Sequence, residues 1–363
     1  MKGRIIIGSD VVPTPLNLDR FISGDAEALV GEELLSILRR ADYRIFNLEV
    51  PLTDNGEPIL KSGPNLIAPT AALEGYLALG IDALSLANNH TLDQGKRAFL
   101  ETAALLRKNG IATLGGGATE EEVKRPIVVE LLGKRIGFLS FCEHEFSWFE
   151  DYGVGARGFD PLYSLDEIEE FKARVDYLAV LYHGGREHYR YPSPNLQRTC
   201  RRIAQKGADL VLCQHSHCVG AEETWRGSRI IYGVGNSLFV KERMDECWQS
   251  AILPELTVSE DGFELNLYPI EAHGVGVRLS HDNKILADFE KRSREILEEG
   301  FVEEEYKRLI SEIEPMVRAH LGYFAEALGE PGTVRGAASR NIINCDPHRE
   351  AIVAYLTERH GLK

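Results

Sequence analysis

Asp209-Leu-Val-Leu-Cys-Gln-His215-Ser-His217 is the stretch on which the fold turns. It opens as an apolar run of strand length, then changes abruptly to two histidines separated by one residue. A strand ending in His-x-His delivers both imidazoles to the C-terminal edge of a sheet, where open α/β sheets bind their ligands. Neutral imidazole is the commonest protein metal ligand, and two so close favour a metal over general-base chemistry alone. An isolated His-x-His also occurs as a pair of polar loop residues, so the reading depends on the rest of the chain.

Four further segments repeat the pattern. Residues 4–8 read as a buried strand ending at Asp10, and Tyr43-Arg-Ile-Phe-Asn47-Leu-Glu49 as a second. Ile81 to His90 ends in Asn88-Asn89-His90, and Tyr177 to His183 ends in an imidazole. Amphipathic helical patterns at 26–40, 70–79, 94–109, 164–175 and 195–206 alternate with these strands, which makes the chain α/β. Parallel strands bring such endings to one edge. One polar ending is unremarkable; five that mix carboxylate, amide and imidazole are hard to obtain from packing alone. Mixed O/N donors suit Mn, Fe or Zn, and there are enough for two divalent ions with one carboxylate bridging them.

The remaining chain sets limits. A net charge of −15 over 363 residues argues against a nucleic-acid partner, which wants clustered Lys and Arg. No apolar run approaches a membrane span, and no apolar leader precedes the first strand, so a cytoplasmic protein is expected. Six scattered cysteines without a Cys-x-x-Cys pair read as reduced thiols. Pro51 to Pro69 is a long loop, either connector or substrate-facing, and Gly115–Gly117 reads as a flexible turn. Residues 126–142 form a hairpin, and 229–232 with 251–270 alternate as antiparallel strands. From about 282 the composition turns to charged amphipathic helix up to 326, with a last helix at 348–359. The division expected is a domain of residues 1–275 and a helical C-terminal region of 276–363.

Taken in order, Asp10, Asn47-Leu-Glu49, Ala87-Asn-Asn-His-Thr-Leu-Asp93-Gln-Gly95, His183-Gly-Gly-Arg-Glu187, His215-Ser-His217 and Tyr232-Gly-Val-Gly-Asn236 resemble the CapA (poly-γ-glutamate capsule biosynthesis) family. That family is a branch of the calcineurin-like metallophosphoesterases. The resemblance covers roughly residues 4–270 and implies a sandwich of two mixed β-sheets flanked by helices, with metals at strand ends. It implies that Asp10 and His217 bind a first ion, that Asn89, His183 and His215 bind a second, and that Glu49 bridges them. His90 would contact the reacting centre, oriented by Asp93. Where the superfamily has Asp-x-His, this chain has Asp10-Val11-Val12, so the first ion lacks one imidazole. Gln214, at a position usually small, would narrow the approach.

Beside the motifs, Glu187 reads as a partner for a ligand imidazole or as a solvated acid. Arg186, His188, Tyr189 and Arg190 are candidates to grip an anionic substrate. Asn236 either supports the site by a hydrogen bond or suits an unusual turn. His144, His273, His281, His320, His348 and His360 match no motif and read as surface or packing residues. The function expected is a hydrolase using a two-metal-activated water on a phosphoester, a small molecule or an acidic-polymer or surface-polysaccharide substrate. The alternative is a non-catalytic polyanion-binding or assembly factor in capsule biosynthesis.

Overall fold

The computed structural model describes residues 2–327 and 331–362. Two mixed sheets form its centre. The larger runs, edge to edge, through Gly276–Leu279, Gly262–His273, Ser250–Ser259, Gly3–Val11, Tyr43–Leu48, Ala83–Ser85 and Ala112–Leu114. The first three pair antiparallel, and the strands from Gly3–Val11 onward pair parallel. The second sheet runs Glu222–Trp225, Ser228–Ile231, Leu210–Gln214, Tyr177–His183, Lys134–Cys142 and Ile127–Leu131, with a parallel centre and antiparallel edges.

Period-two alternation builds the layers. Ile5, Ile7 and Ile45 face inward and meet Phe138, Ala179, Leu181, Leu210 and Leu212 of the other sheet. Ile6, Phe46 and Leu84 point the opposite way, against the helices between residues 18 and 39 and those at 73–78 and 95–108. Phe141, Val180, Tyr182 and Val211 bury the outer face of the second sheet beneath helices Ser164–Lys172 and Pro194–Gln205. The expected α/β sandwich of two mixed sheets flanked by helices is therefore the observed one.

Several local readings need correction. The helix expected over 26–40 is two, Ala26–Val30 and Glu32–Arg39, because Gly31 between them takes φ +69°. The third strand keeps only Ala83–Ser85, since Asn88 turns back and donates to Leu48 O at 2.8 Å. Gly116–Gly117 is not a flexible turn: it pairs with Gly155–Ala156 as a short two-stranded ladder. A helix at Val334–Asn344 adds to those expected from the sequence. It joins Phe301–Glu312, Glu314–Ala327 and Asp346–His360, which share a small core of Tyr306, Ile310, Val317, Ala351 and Tyr355. No helix among the described residues is long and apolar enough to cross a membrane.

Candidate metal centre

The C-terminal ends of the parallel strands of both sheets open onto one edge, and the site lies there. Asp10 reaches it through a bulge. Ile7 pairs with Ile45 and Asp10 with Asn47, so one extra residue in the first strand re-aims the carboxylate. Gly8 permits this close approach, since a Cβ there would collide with the Phe46 ring. Asn47 braces the result: its Nδ2 donates to Asp10 Oδ1 at 2.7 Å, and its Oδ1 accepts from Asn88 Nδ2 at 3.0 Å.

Two sets of donor atoms converge, Glu49 with His183 and His215, and Asp10 with Glu49 and His217. Glu49 belongs to both. Around His183 Nε2 stand Asn89 Oδ1 at 3.0 Å, His215 Nδ1 at 3.1 Å and Glu49 Oε1 at 3.2 Å. His217 Nδ1 lies 3.5 Å from Asp10 Oδ2 and 2.9 Å from Asn236 Oδ1. All the side chains named are buried.

So many acceptors in a dry place lack protons or cations to share. Asp10 Oδ2 and both Glu49 oxygens are buried without a hydrogen-bond partner among the described residues, a costly state for carboxylates. Burial, and then the charges of Asp10 and Glu187, push the Glu49 carboxyl well above its ordinary range. Burial and the neighbouring His215 and His217 hold His183 well below the usual imidazole value, which leaves it neutral with a lone pair to give. Divalent cations fit these donors, supplying the positive charge that the cluster lacks.

Beside the donors stands a second unit. His90 Nδ1 lies 2.6 Å from Asp93 Oδ2, and Asp93 also accepts from Leu66 N at 2.6 Å. Lys61 Nζ approaches Asp93 Oδ1 to 2.5 Å and His90 Nδ1 to 3.3 Å. Lys61 comes from the Pro51–Pro69 loop and is only 6% exposed, so this loop faces the site. Burial, and then the Lys61 charge, lower the His90 pKa against the opposing pull of Asp93.

Other sequence candidates divide. Arg186 and Glu187 line a cavity of about 490 Å³ together with His90 and His215. His188 lines it too, while pairing with Asp245 at 2.6 Å and stacking on Trp248. Tyr189 is buried near Tyr306, and Arg190 turns to the carbonyls of Val219 and Glu246, so neither meets the expectation of an anion grip. Gln214 does not narrow the approach: it is buried and donates to Gly8 O at 3.0 Å.

Sequence reasoning missed Lys61, Glu145 and the cavity wall formed by the C-terminal helices. Glu145 Oε1 lies 3.7 Å from His215 Nε2, and His348, read as packing or surface, lines the cavity.

Residues 17–241 match the family model described as bacterial capsule synthesis protein PGA_cap. The PGA biosynthesis protein CapA of Bacillus subtilis (strain 168) is 25% identical over 247 residues, 65% of this chain and 63% of that protein. The capsule biosynthesis protein CapA of Bacillus anthracis is 25% identical over 211 residues, 56% of this chain and 51% of that protein. The matched region thus spans between about half and two thirds of these relatives' own length. Among solved structures, a 5'-nucleotidase precursor from Thermus thermophilus aligns over 77% of this chain and 54% of its own, at 14% identity and a TM-score of 0.43.

Proposed function

This chain belongs to the bacterial capsule synthesis protein PGA_cap family, and we propose that it is a metal-dependent hydrolase of a phosphoester or of an ester or amide in an acidic polymer. One observation carries the reading: two donor sets share Glu49, and His90, held by buried Asp93, stands beside them. Asp10, Glu49 and His217 would hold one divalent ion, and Glu49, Asn89, His183 and His215 a second, each of the Mn, Fe or Zn kind. Bound there, such a pair supplies a water of lowered pKa and neutralises charge on the attacked group.

The chain's own groups do the rest. Asp93 engages His90 at Nδ1, which leaves Nε2 to give or take the proton at the leaving atom. Asn236 fixes the ring of His217 through its Nδ1 contact. Arg186 and Lys61 bring positive charge to the cavity where an anionic substrate would lie. The names of the Bacillus relatives, which concern capsule and PGA biosynthesis, suggest the acidic polymer over a small phosphoester. A polyanion-binding assembly factor would use the same ions but has no need of a histidine held by a buried acid.

The test starts with elemental analysis before and after chelation. Two equivalents bound in unequal calorimetric steps are expected, the tighter held by the set containing Asn89, His183 and His215. Glu49→Gln should weaken both, and His217→Ala only one. Metal-loaded protein is then assayed on phosphomonoester, phosphodiester and γ-glutamyl oligomer substrates. Loss of turnover on chelation, with recovery on reloading, supports the reading. A chain that binds no metal, or that turns over none of these substrates when loaded, overturns it.

A further inference from the structure

The cavity of about 490 Å³ has two unlike walls. One is polar, with His90 and His215 from the strand-end edge and Lys61 from the Pro51–Pro69 loop. The other comes from the C-terminal helices, whose Leu309, Ile313 and Pro347 give it an apolar lining. Arg186 stands between the two. It follows Gly184 and Gly185 after the end of the strand Tyr177–His183, and that turn is pinned: Gly185 N donates to Glu143 Oε2 at 3.0 Å, and a Cβ on Gly184 would sit 2.5 Å from the Glu143 carboxyl. The guanidinium is therefore carried on a fixed base.

Among the described residues it has no charged partner. Other partly buried arginines of this chain have oxygen acceptors: Arg157 donates to Glu167 at 2.6 Å, Arg201 to Glu223 at 2.7 Å and Arg292 to Gly220 O at 2.8 Å. Arg186 donates only to Met316 Sδ, at 3.6 Å, and among the described residues it makes no ion pair. Thioether sulfur is a weak acceptor. A desolvated guanidinium without a counter-charge is unfavourable, whereas its planar fork suits a carboxylate or phosphate closely. Of the two acids lining the cavity, Glu187 lies near enough to favour the Arg186 charge but makes no ion pair with it among the described residues. Glu145 is 3.7 Å from His215.

We propose that Arg186, with the wall of C-terminal helices around Met316, forms a subsite for a second oxyanion of the substrate, separated by a short aliphatic spacer from the group that reacts at the metal centre. The inference rests on the hydrolase reading and narrows its substrate class to molecules with two anionic or acyl groups on one methylene chain. The apolar lining accommodates the spacer, and Arg186 accepts the distal carboxylate or phosphate. The C-terminal helices are thereby part of substrate selection.

The experiment is calorimetry on the metal-loaded full chain with butyrate, the dicarboxylates from succinate to adipate, and 4-phosphonobutyrate. At least one dianion should bind about tenfold or more tighter than butyrate, the gain expected of a charge-assisted hydrogen-bonded pair. Whether the dicarboxylate or the phosphonate gains more tells carboxylate from phosphate as the natural group. Arg186→Gln should bring the dianion-to-butyrate ratio close to one. Met316→Glu should do the same by a different route, since it sets a carboxylate beside the guanidinium in a side chain of similar length. That second variant supplies the missing counter-charge, so misfolding is not its expected failure. A ratio unchanged in Arg186→Gln, or no dianion surpassing butyrate in the parent protein, overturns the proposal. Metal content and turnover, read on the same samples, report separately on the hydrolase reading.

Discussion

Lys61→Met tests the unit behind His90. Lys61 and Asp93 form an ion pair at 2.5 Å with 3% and 0% of their side chains exposed. Met keeps much of the aliphatic stem but leaves the Asp93 carboxylate buried with only His90 and the Leu66 N–H as partners. Removing one member of a buried pair costs about 3–5 kcal/mol, because the other charge is left uncompensated. At roughly 2.1 cal/mol/K of unfolding entropy per residue, 363 residues give about 0.76 kcal/mol/K. The expected fall in Tm is therefore about 4–7 °C, read by calorimetry on metal-loaded protein. Lys61→Met/Asp93→Asn removes the stranded charge as well and should recover more than half of the loss. Lost packing alone would not be recovered. A second readout is the His90 titration followed by NMR. Burial and Lys61 both hold the His90 pKa down while Asp93 raises it. Without Lys61 the pKa rises, so the limb of the pH–turnover profile that reports His90 shifts to higher pH. A Tm within about 1 °C of the parent, with the His90 titration unmoved, would refute the buried pair.

His90→Ala should keep its metal content and fold yet lose turnover by about 10²–10⁴-fold, as positioned acid–base groups do; full turnover in a metal-replete assay would sink the assigned role. Cys247 is the one cysteine not buried. The neighbouring Cys218 thiol, aided by the charge of Arg190, brings its thiol down to about 7 against the opposing effect of burial. Alkylation of native protein should therefore fall first on Cys247, with a rate that rises with pH and is half-maximal near 7. A midpoint at about 8.5, the ordinary thiol value, would contradict that contact.

The gathering of Asp10, Glu49, Asn89, His183, His215 and His217 is legible in the sequence because each follows an apolar run of strand length. Parallel pairing does the rest. The same logic reaches Glu143-His144-Glu145, which follows the strand Lys134–Cys142. There the signal is present, but a strand that also closes a hairpin does not declare which of its ends meets the site. Lys61 carries no such signal. It sits mid-loop between Leu60 and Ser62, and its burial depends on the path that Pro51–Pro69 takes across the site. The wall of C-terminal helices is equally hidden. Amphipathic periodicity announces that helices exist and says nothing about which surface they cover. Val334–Asn344 escapes even that signal, since small and polar residues (Gly336, Ala337, Ala338, Ser339) blur its apolar stripe.

Backbone strain explains why two histidines one residue apart can serve a centre with two donor sets. In an extended strand, residues i and i+2 project side by side from the same face. His215 and His217 would then point the same way, about 6.6 Å apart along one face. Instead both leave the strand in the left-handed region, at φ +80° and +56°. His188 joins them at +58°, and the other such non-glycine residues described, Leu132 and Arg226, lie in hairpin turns that call for that conformation. No hairpin requires it at His215 or His217, where each residue so held costs of order 1–3 kcal/mol. Packing over-determines them: His215 against His183 at 3.1 Å, and His217 between Asn236 and the Trp248 ring, whose centroid is 4.1 Å away. The consequence is that His215 falls in the set with His183 and His217 in the set with Asp10. Glu49 stands between the two, and the departure from β geometry after Gln214 is what turns a His-x-His strand end into donors for both.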